Sequence, residues 1–378
     1  SSLETIYVPA ESYSAYVSAF SSYVNNARIM MSNPPTKEDF VISKKTLLLY
    51  QGTDEEVTIP AGVEKIGQSA FQNCKTLTSV TFNDELVGVD SYAFKGCTAL
   101  ENVVFNDALE SIGGQAFYGC TSLTNVKFGA RMTTIGAYAF GECTGVKGDL
   151  VIPSSVVSIG NYAFYNCTGL NGKLIIEGNE ESTTIGSNAF YNCSGIKGDL
   201  VIPNTVTSLG SNAFYNCYGL NGKLTLSEAL KTIPDRCFYN CEFIGELVIP
   251  DSVEEIYYEA FYNCTGITSI VFGEGVKTIN DEAFRSDNSV KEMTFKGNNV
   301  PSGYFLRYMN SSLETIYVPA ESYSAYVSAF SSYVNNAKII ASGTDEDFTL
   351  VDGTLTLYNG EGGDVTIPAG VEKRRLRT

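Results

Sequence analysis

The sequence contains no histidine and no tryptophan. Without histidine there is no Ser-His-Asp triad, no Cys-His dyad and no imidazole-ligated metal. No run of 18 apolar residues occurs, so nothing reads as a membrane span. Neither GxxxxGKS/T nor a strand-GxGxxG-helix context is present, which removes the common phosphate-binding loops. Basic residues are scarce, 25 against 42 acidic ones, for a net charge of −17. That balance leaves no basic face for nucleic acid or an anionic membrane, and suits a cationic or neutral partner. Carboxylate-pair chemistry survives these exclusions, but no pair stands out from the solvated background. We therefore expect a non-enzyme with no cofactor and no metal. The first residues read as mid-structure, so localisation is not read from the N-terminus.

What the sequence has is repetition. "GQSAFQNC", "DSYAFKGC", "GGQAFYGC", "GAYAFGEC" and "GNYAFYNC" open a series that ends in "NDEAFRSD". Its phenylalanines are Phe71, Phe94, Phe117, Phe140, Phe164, Phe190, Phe214, Phe238, Phe261 and Phe284, spaced 23 to 26 residues apart. An aliphatic residue lies five positions before each, and a Cys three positions after the first nine. Each unit also carries a short alternating run such as "LTSVTF" or "DLVIP", which reads as a strand. One strand per unit in a fixed place predicts a parallel ladder at about 4.8 Å per step. "AFxxC" then forms a turn or short helical segment on the opposite wall. A unit this short cannot bury its own apolar face, so neighbours must stack.

The recurring "LxxVxF/IPxxVxxIGxxAFxxC" pattern resembles the leucine-rich repeat of the BspA-like type, found in bacterial surface proteins, over about residues 40–340. The resemblance implies an α/β repeat solenoid: a right-handed superhelix with one concave parallel β-sheet and short turns or helices on the convex side. It also implies an extracellular or cell-surface location and adhesion to host or bacterial proteins.

Residues 1–27 recur unchanged at 311–337, and "TLLLYQGTDEEVTIPAGVEK" at 46–65 is echoed at 354–373. Tyr323, Tyr326, Val327, Phe330, Tyr333 and Val334 fall at helical spacing, which predicts an amphipathic helix closing the stack. We expect 1–27 to be the C-terminal cap of a preceding repeat domain. A linker follows at 28–37, then a complete domain at 38–337 whose own cap is 311–337. A second linker spans 338–344, and 345–378 starts a further domain, with a tail at 374–378 that departs from the echo. The 1–27 segment, lacking its own array, is expected to be loosely ordered or to dock head to tail on another copy.

Several columns could carry function. The cysteines read as reduced core thiols, because parallel Cβ vectors suit disulfides badly and metal-type spacing is absent. Tyr165, Tyr191, Tyr215, Tyr239 and Tyr262, each following its Phe, form a stripe that either stacks glycan or protein, or simply stacks on itself and shields the turn. Asp149, Lys173, Asp199, Lys223 and Glu246 alternate in sign on adjacent strands, as a ladder of cross-strand pairs would. Val151, Ile175, Val201, Thr225, Val248 and Val271 form a β-branched column expected to face outward on the concave side; this is the preferred binding strip. Glu177, Glu180 and Glu181 read as a solvated loop rather than a calcium site, lacking the required spacing. The leading expectation is a protein-interaction or adhesion module. A glycan-binding array on the tyrosines and a structural spacer remain as alternatives.

Overall fold

In the computed structural model the described residues are 5–21, 23, 27–32, 39–178, 181–309, 312–334, 337–342, 348–351, 354–358 and 373–374. They divide into two compact units, Ser1–Lys197 with Ser208–Gly219, and Gly198–Thr207 with Leu220–Thr378. Each is built as a parallel-strand β-solenoid.

The expected ladder is present in pieces. In the first unit Glu56–Thr58, Ser79–Thr81 and Asn102–Val104 pair in parallel, as do Leu150–Ile152 and Leu174–Ile176. The expected strand at 123–128 is not formed as one. In the second unit Leu200–Val201 pairs with Leu224–Thr225. A five-stranded ladder then follows: Ile244–Ile249, Gly266–Phe272, Glu292–Phe295, Thr315–Pro319 and Lys338–Ser342.

A second ladder, on a different wall, was not anticipated. It uses the aliphatic residue five positions before each Phe together with the residue preceding it. Lys65–Ile66, Gly88–Val89, Ser111–Ile112, Thr134–Ile135 and Ser158–Ile159 are in register in the first unit, and Thr232–Ile233, Glu255–Ile256 and Thr278–Ile279 in the second. Two residues are too short for alternation to show, so this wall is invisible to periodicity. The glycine that follows is required by close approach: a Cβ on Gly136 would lie 2.6 Å from the Gly113 carbonyl carbon.

The phenylalanines of "AFxxC" form the core. Rings from Phe71 through Phe94, Phe117, Phe140, Phe164 and Phe190 to Phe214 stack nearly parallel, with centroids 4.7 to 5.4 Å apart. The second unit continues the pattern with Phe238, Phe261 and Phe284. This ring spacing follows the rise of one strand per turn. The wall carrying "AFxxC" is made of turns, not helices. Its sharpness comes from two left-handed residues per turn, two before and two after each of the first nine Phe, as at Tyr162 and Asn166 or Asn188 and Asn192; around Phe284 only Ser286 is left-handed. Asn and Gly dominate the second position because they tolerate that conformation.

The 1–27 segment is ordered over its described part. Its described part folds as strand Thr5–Val8, helix Tyr13–Phe20 and, after it, strand Arg28–Met31. It packs on the start of the array in its own chain. Val8, Tyr13, Val17, Ile29 and Met31 share a core with Val41 and Leu49. The Gln72 and Asn73 side-chain amides donate to the Ser21 and Ala27 carbonyls, at 3.1 and 2.7 Å. An apolar helix face finds the nearest complementary surface, and here that is the hairpin Phe40–Ser43/Thr46–Tyr50.

Candidate functional site

The preferred strip lies where the alternation puts it. In the first unit Val151 and Ile175 are partners in adjacent strands, 38% and 40% exposed, while Leu150 and Ile152 beside Val151 are buried. The same repeat position in an earlier ladder holds Thr58, Thr81 and Val104, which are partners of one another, the last 55% exposed. In the second unit Val201 and Thr225 are partners, as are Val248 and Val271, with Val201 at 51% and Val248 at 43%. Val271 itself is half-buried. A depression of about 610 Å³ opens over this part of the strip, floored by Thr225 and Val248 and rimmed by Lys223, Glu246, Asp251 and Lys296.

The charged column does not form the expected ion pairs. Among the described residues no salt bridge joins Asp149 to Lys173, or Asp199 to Lys223, or Lys223 to Glu246. Instead Asp149 Oδ1 accepts the backbone N–H of Lys173 at 2.7 Å, and Asp199 Oδ1 that of Lys223 at 2.7 Å. The glycines of "NGK" make room: a Cβ on Gly172 or Gly222 would collide with these carboxylates. The lysine and glutamate head groups therefore remain as a charged rim beside the strip.

On the turn wall the tyrosine stripe stacks on itself. Tyr165, Tyr191 and Tyr215 have centroid spacings of 5.4 and 4.8 Å, and Tyr239 faces Tyr262 at 4.5 Å. Burial and the neighbouring Tyr215 hydroxyl raise the Tyr191 pKa. The ring faces between neighbours are thus covered. One place differs. A second tyrosine column, two positions before Phe, holds Tyr92, Tyr138 and Tyr162 but has Gln115 in between. There a shallow depression of about 580 Å³ opens between Lys95, Gln115, Tyr118 and Tyr138. The Lys95 ammonium lies 5.2 and 5.6 Å from the ring centres of Tyr92 and Tyr118. Burial lowers its pKa, and no carboxylate pairs with it among the described residues.

The sequence model of the BspA type Leucine rich repeat region matches residues 48–171, 183–306 and 220–338, well over half the chain. The chain belongs to the BspA-type leucine-rich repeat family. It is similar to a leucine-rich repeat protein of T. pallidum (26% identity, 50% of this chain and 91% of that one, TM-score 0.44). A leucine rich cell surface protein of Faecalibacterium prausnitzii is 22% identical over 69% of this chain and 94% of that one, TM-score 0.32. The pneumococcal vaccine antigen PcpA is 19% identical over 90% of each chain, TM-score 0.44. Comparison with curated proteins gives no significant match.

In this BspA-type repeat the cysteine column is structural. All ten cysteines are buried. Cys97, Cys120, Cys143, Cys167, Cys193 and Cys217 each donate S–H to the carbonyl of the Phe one turn back, at 3.0 to 3.2 Å. Burial raises the pKa of Cys97, Cys120, Cys143, Cys167 and Cys264 well above the usual thiol range, so they stay protonated and unreactive. No group of carboxylates or thiols fit to hold a metal occurs among the described residues. Glu177 accepts from the Ser154 N–H, and Glu180 lies outside the described residues. No described helix is long and apolar enough to cross a membrane.

Proposed function

We propose that this chain is a non-enzymatic, surface-exposed protein-interaction module that adheres through the strip containing Val151, Ile175, Val201, Thr225, Val248 and Val271. The supporting observation is the exposed β-branched residues beside charged ones in each unit, Val151 with Ile175 in the first and Val201 with Thr225 and Val248 in the second, on strands whose flanking side chains are buried. Such a row presents aliphatic contact area at low entropic cost, because β-branched side chains are stiff at χ1. The rim charges orient a partner and set its encounter rate. Membership of the family and the cell-surface relative support an extracellular setting. The test is adhesion of protein-coated beads to epithelial cells and to bacterial cells. Val201→Asp with Val248→Asp is expected to abolish it with secondary structure unchanged; undiminished adhesion rejects the strip.

A second reading, saccharide binding, is favoured by one observation: the half-buried, unpaired Lys95 beside Tyr118 and Tyr138. An aromatic wall with a cation and an amide suits a sugar bearing a carboxylate. This moves the glycan reading away from Tyr165, Tyr191, Tyr215, Tyr239 and Tyr262, whose ring faces cover one another. Saturation-transfer NMR with sialyllactose, oligogalacturonate and neutral lactose tests it. Lys95→Gln should remove the acidic-sugar signal; no signal from either acidic probe ends this reading. The spacer alternative predicts no adhesion and no sugar binding at all.

A further inference from the structure

The helices of the two cap copies bury Tyr13 and its counterpart Tyr323 alike, but otherwise bury different faces. In the second copy, helix Tyr323–Phe330 turns Tyr326 and Phe330 onto the last turn of the array, where they are 0% and 3% exposed. Phe330 lies 5.5 Å from Phe295 and 5.9 Å from Phe305, and the Tyr326 hydroxyl donates to the Gly297 carbonyl at 2.8 Å. Strand Thr315–Pro319 is paired on both edges, with Glu292–Phe295 on one side and Lys338–Ser342 on the other. Ser331 is exposed and Val327 half-exposed.

At these helix positions the first copy is the reverse. Val17 and Ser21, counterparts of Val327 and Ser331, are 3% and 1% exposed against the array that follows. Tyr16 and Phe20, counterparts of Tyr326 and Phe330, are 40% and 48% exposed. With Ile6, Val8 and Ile29 they line a wholly apolar hollow of about 210 Å³. Strand Thr5–Val8 pairs only with Arg28–Met31 among the described residues, so its other edge is open. The same sequence thus shows each half of one contact separately.

We infer that this segment is a two-sided joint, and that its exposed half in the first copy takes the closing turn of another BspA-type array. The occupant's chemistry is read from the second copy: an extended strand like Glu292–Phe295 adding to the open edge, and a phenylalanine pair like Phe295 and Phe305 entering the hollow. Strand addition supplies backbone bonds and the aromatic pair supplies specificity. A closing turn already capped, such as the one carrying Phe295 here, cannot serve unless its own cap is loosened. The inference does not depend on the strip or on Lys95.

Hydroxyl-radical labelling of the full chain tests it, because trypsin cuts after Arg28 and Lys338 and so distinguishes the two copies. In the chain as it stands, Tyr16 and Phe20 should label several-fold more than Tyr326 and Phe330. In a chain carrying an extra copy of residues 39–310 ahead of Ser1, labelling of Tyr16 and Phe20 should fall to the level of the second copy. A separate arm needs no extended chain. Full-length Phe330→Asp, with a loosened cap, is added in excess to the wild-type protein and should protect Tyr16 and Phe20. Unchanged labelling of these two residues in both arms overturns the inference, as does equal labelling of the two copies at the outset.

Discussion

At the scale of single residues, the repeat is held by small, countable bonds to the neighbouring turn. The aspartate-to-backbone contact is one. Asp149→Ala leaves the Lys173 N–H without its carboxylate and should cost about 1 kcal/mol in denaturant unfolding, hardly changed by salt. An ion-pair role would instead show clear salt sensitivity. The tenth turn replaces Cys by Asp287, whose Oδ1 accepts the Cys264 N–H at 2.6 Å while Oδ2 has no partner. Burial raises the Asp287 pKa well above the carboxylate range. A raised folded-state value means its contribution is full in acid, below the unfolded value near 4, and is lost as pH rises through the folded one. Asp287→Asn should therefore raise the melting temperature at pH 7 and lose that advantage near pH 4; equal gain at both values would refute this. The thiols that burial raises, Cys97, Cys120, Cys143, Cys167, Cys193 and Cys264, obey the same sign. Their stabilising contribution begins to fall above about pH 8.5, by up to ~1.4 kcal/mol per thiol per pH unit. Ten thiols should react only after denaturation, and fewer than ten would reveal a disulfide.

At the scale of the element, the turn wall explains why the motif reads "FYNC". Phe fills the core, Tyr stacks along the outside, Asn takes the left-handed residue and Cys bonds backward. Asn side chains also form their own ladder: Asn192 donates to Asn166 at 2.8 Å, and Asn263 to Asn240 at 2.9 Å. Asn192→Gly keeps the backbone free but loses the ladder bond, whereas Asn192→Ala loses the bond and adds about 1 kcal/mol of left-handed strain. Chemical denaturation should rank Ala below Gly; the opposite order would mean that the backbone is not the constraint. Much of this wall was legible, because Phe and Cys recur at fixed offsets. The second strand ladder was not, since two residues cannot display a period. The aspartate contacts were misread as ion pairs, because sequence gives charge but not the glycine-lined gap that lets a carboxylate reach backbone. Lys95 was missed because its significance lies in what surrounds it, a missing tyrosine at Gln115 and two rings across the turn.

At the scale of the whole molecule, a chain that spends its residues on repeated turns presents a large surface for its length, and here that surface carries a net charge of −17. Stability in such arrays is a sum of turn and neighbour terms, so outward substitutions on the strand wall are nearly neutral for folding. That separates binding from stability and makes the strip testable in isolation. The decisive measurement is bead adhesion with Val201→Asp and Val248→Asp, set beside Lys95→Gln. The account predicts adhesion lost in the first variant and kept in the second, with melting temperatures within a few degrees of wild type. Adhesion kept in the valine variant, or lost only in the lysine variant, would contradict it.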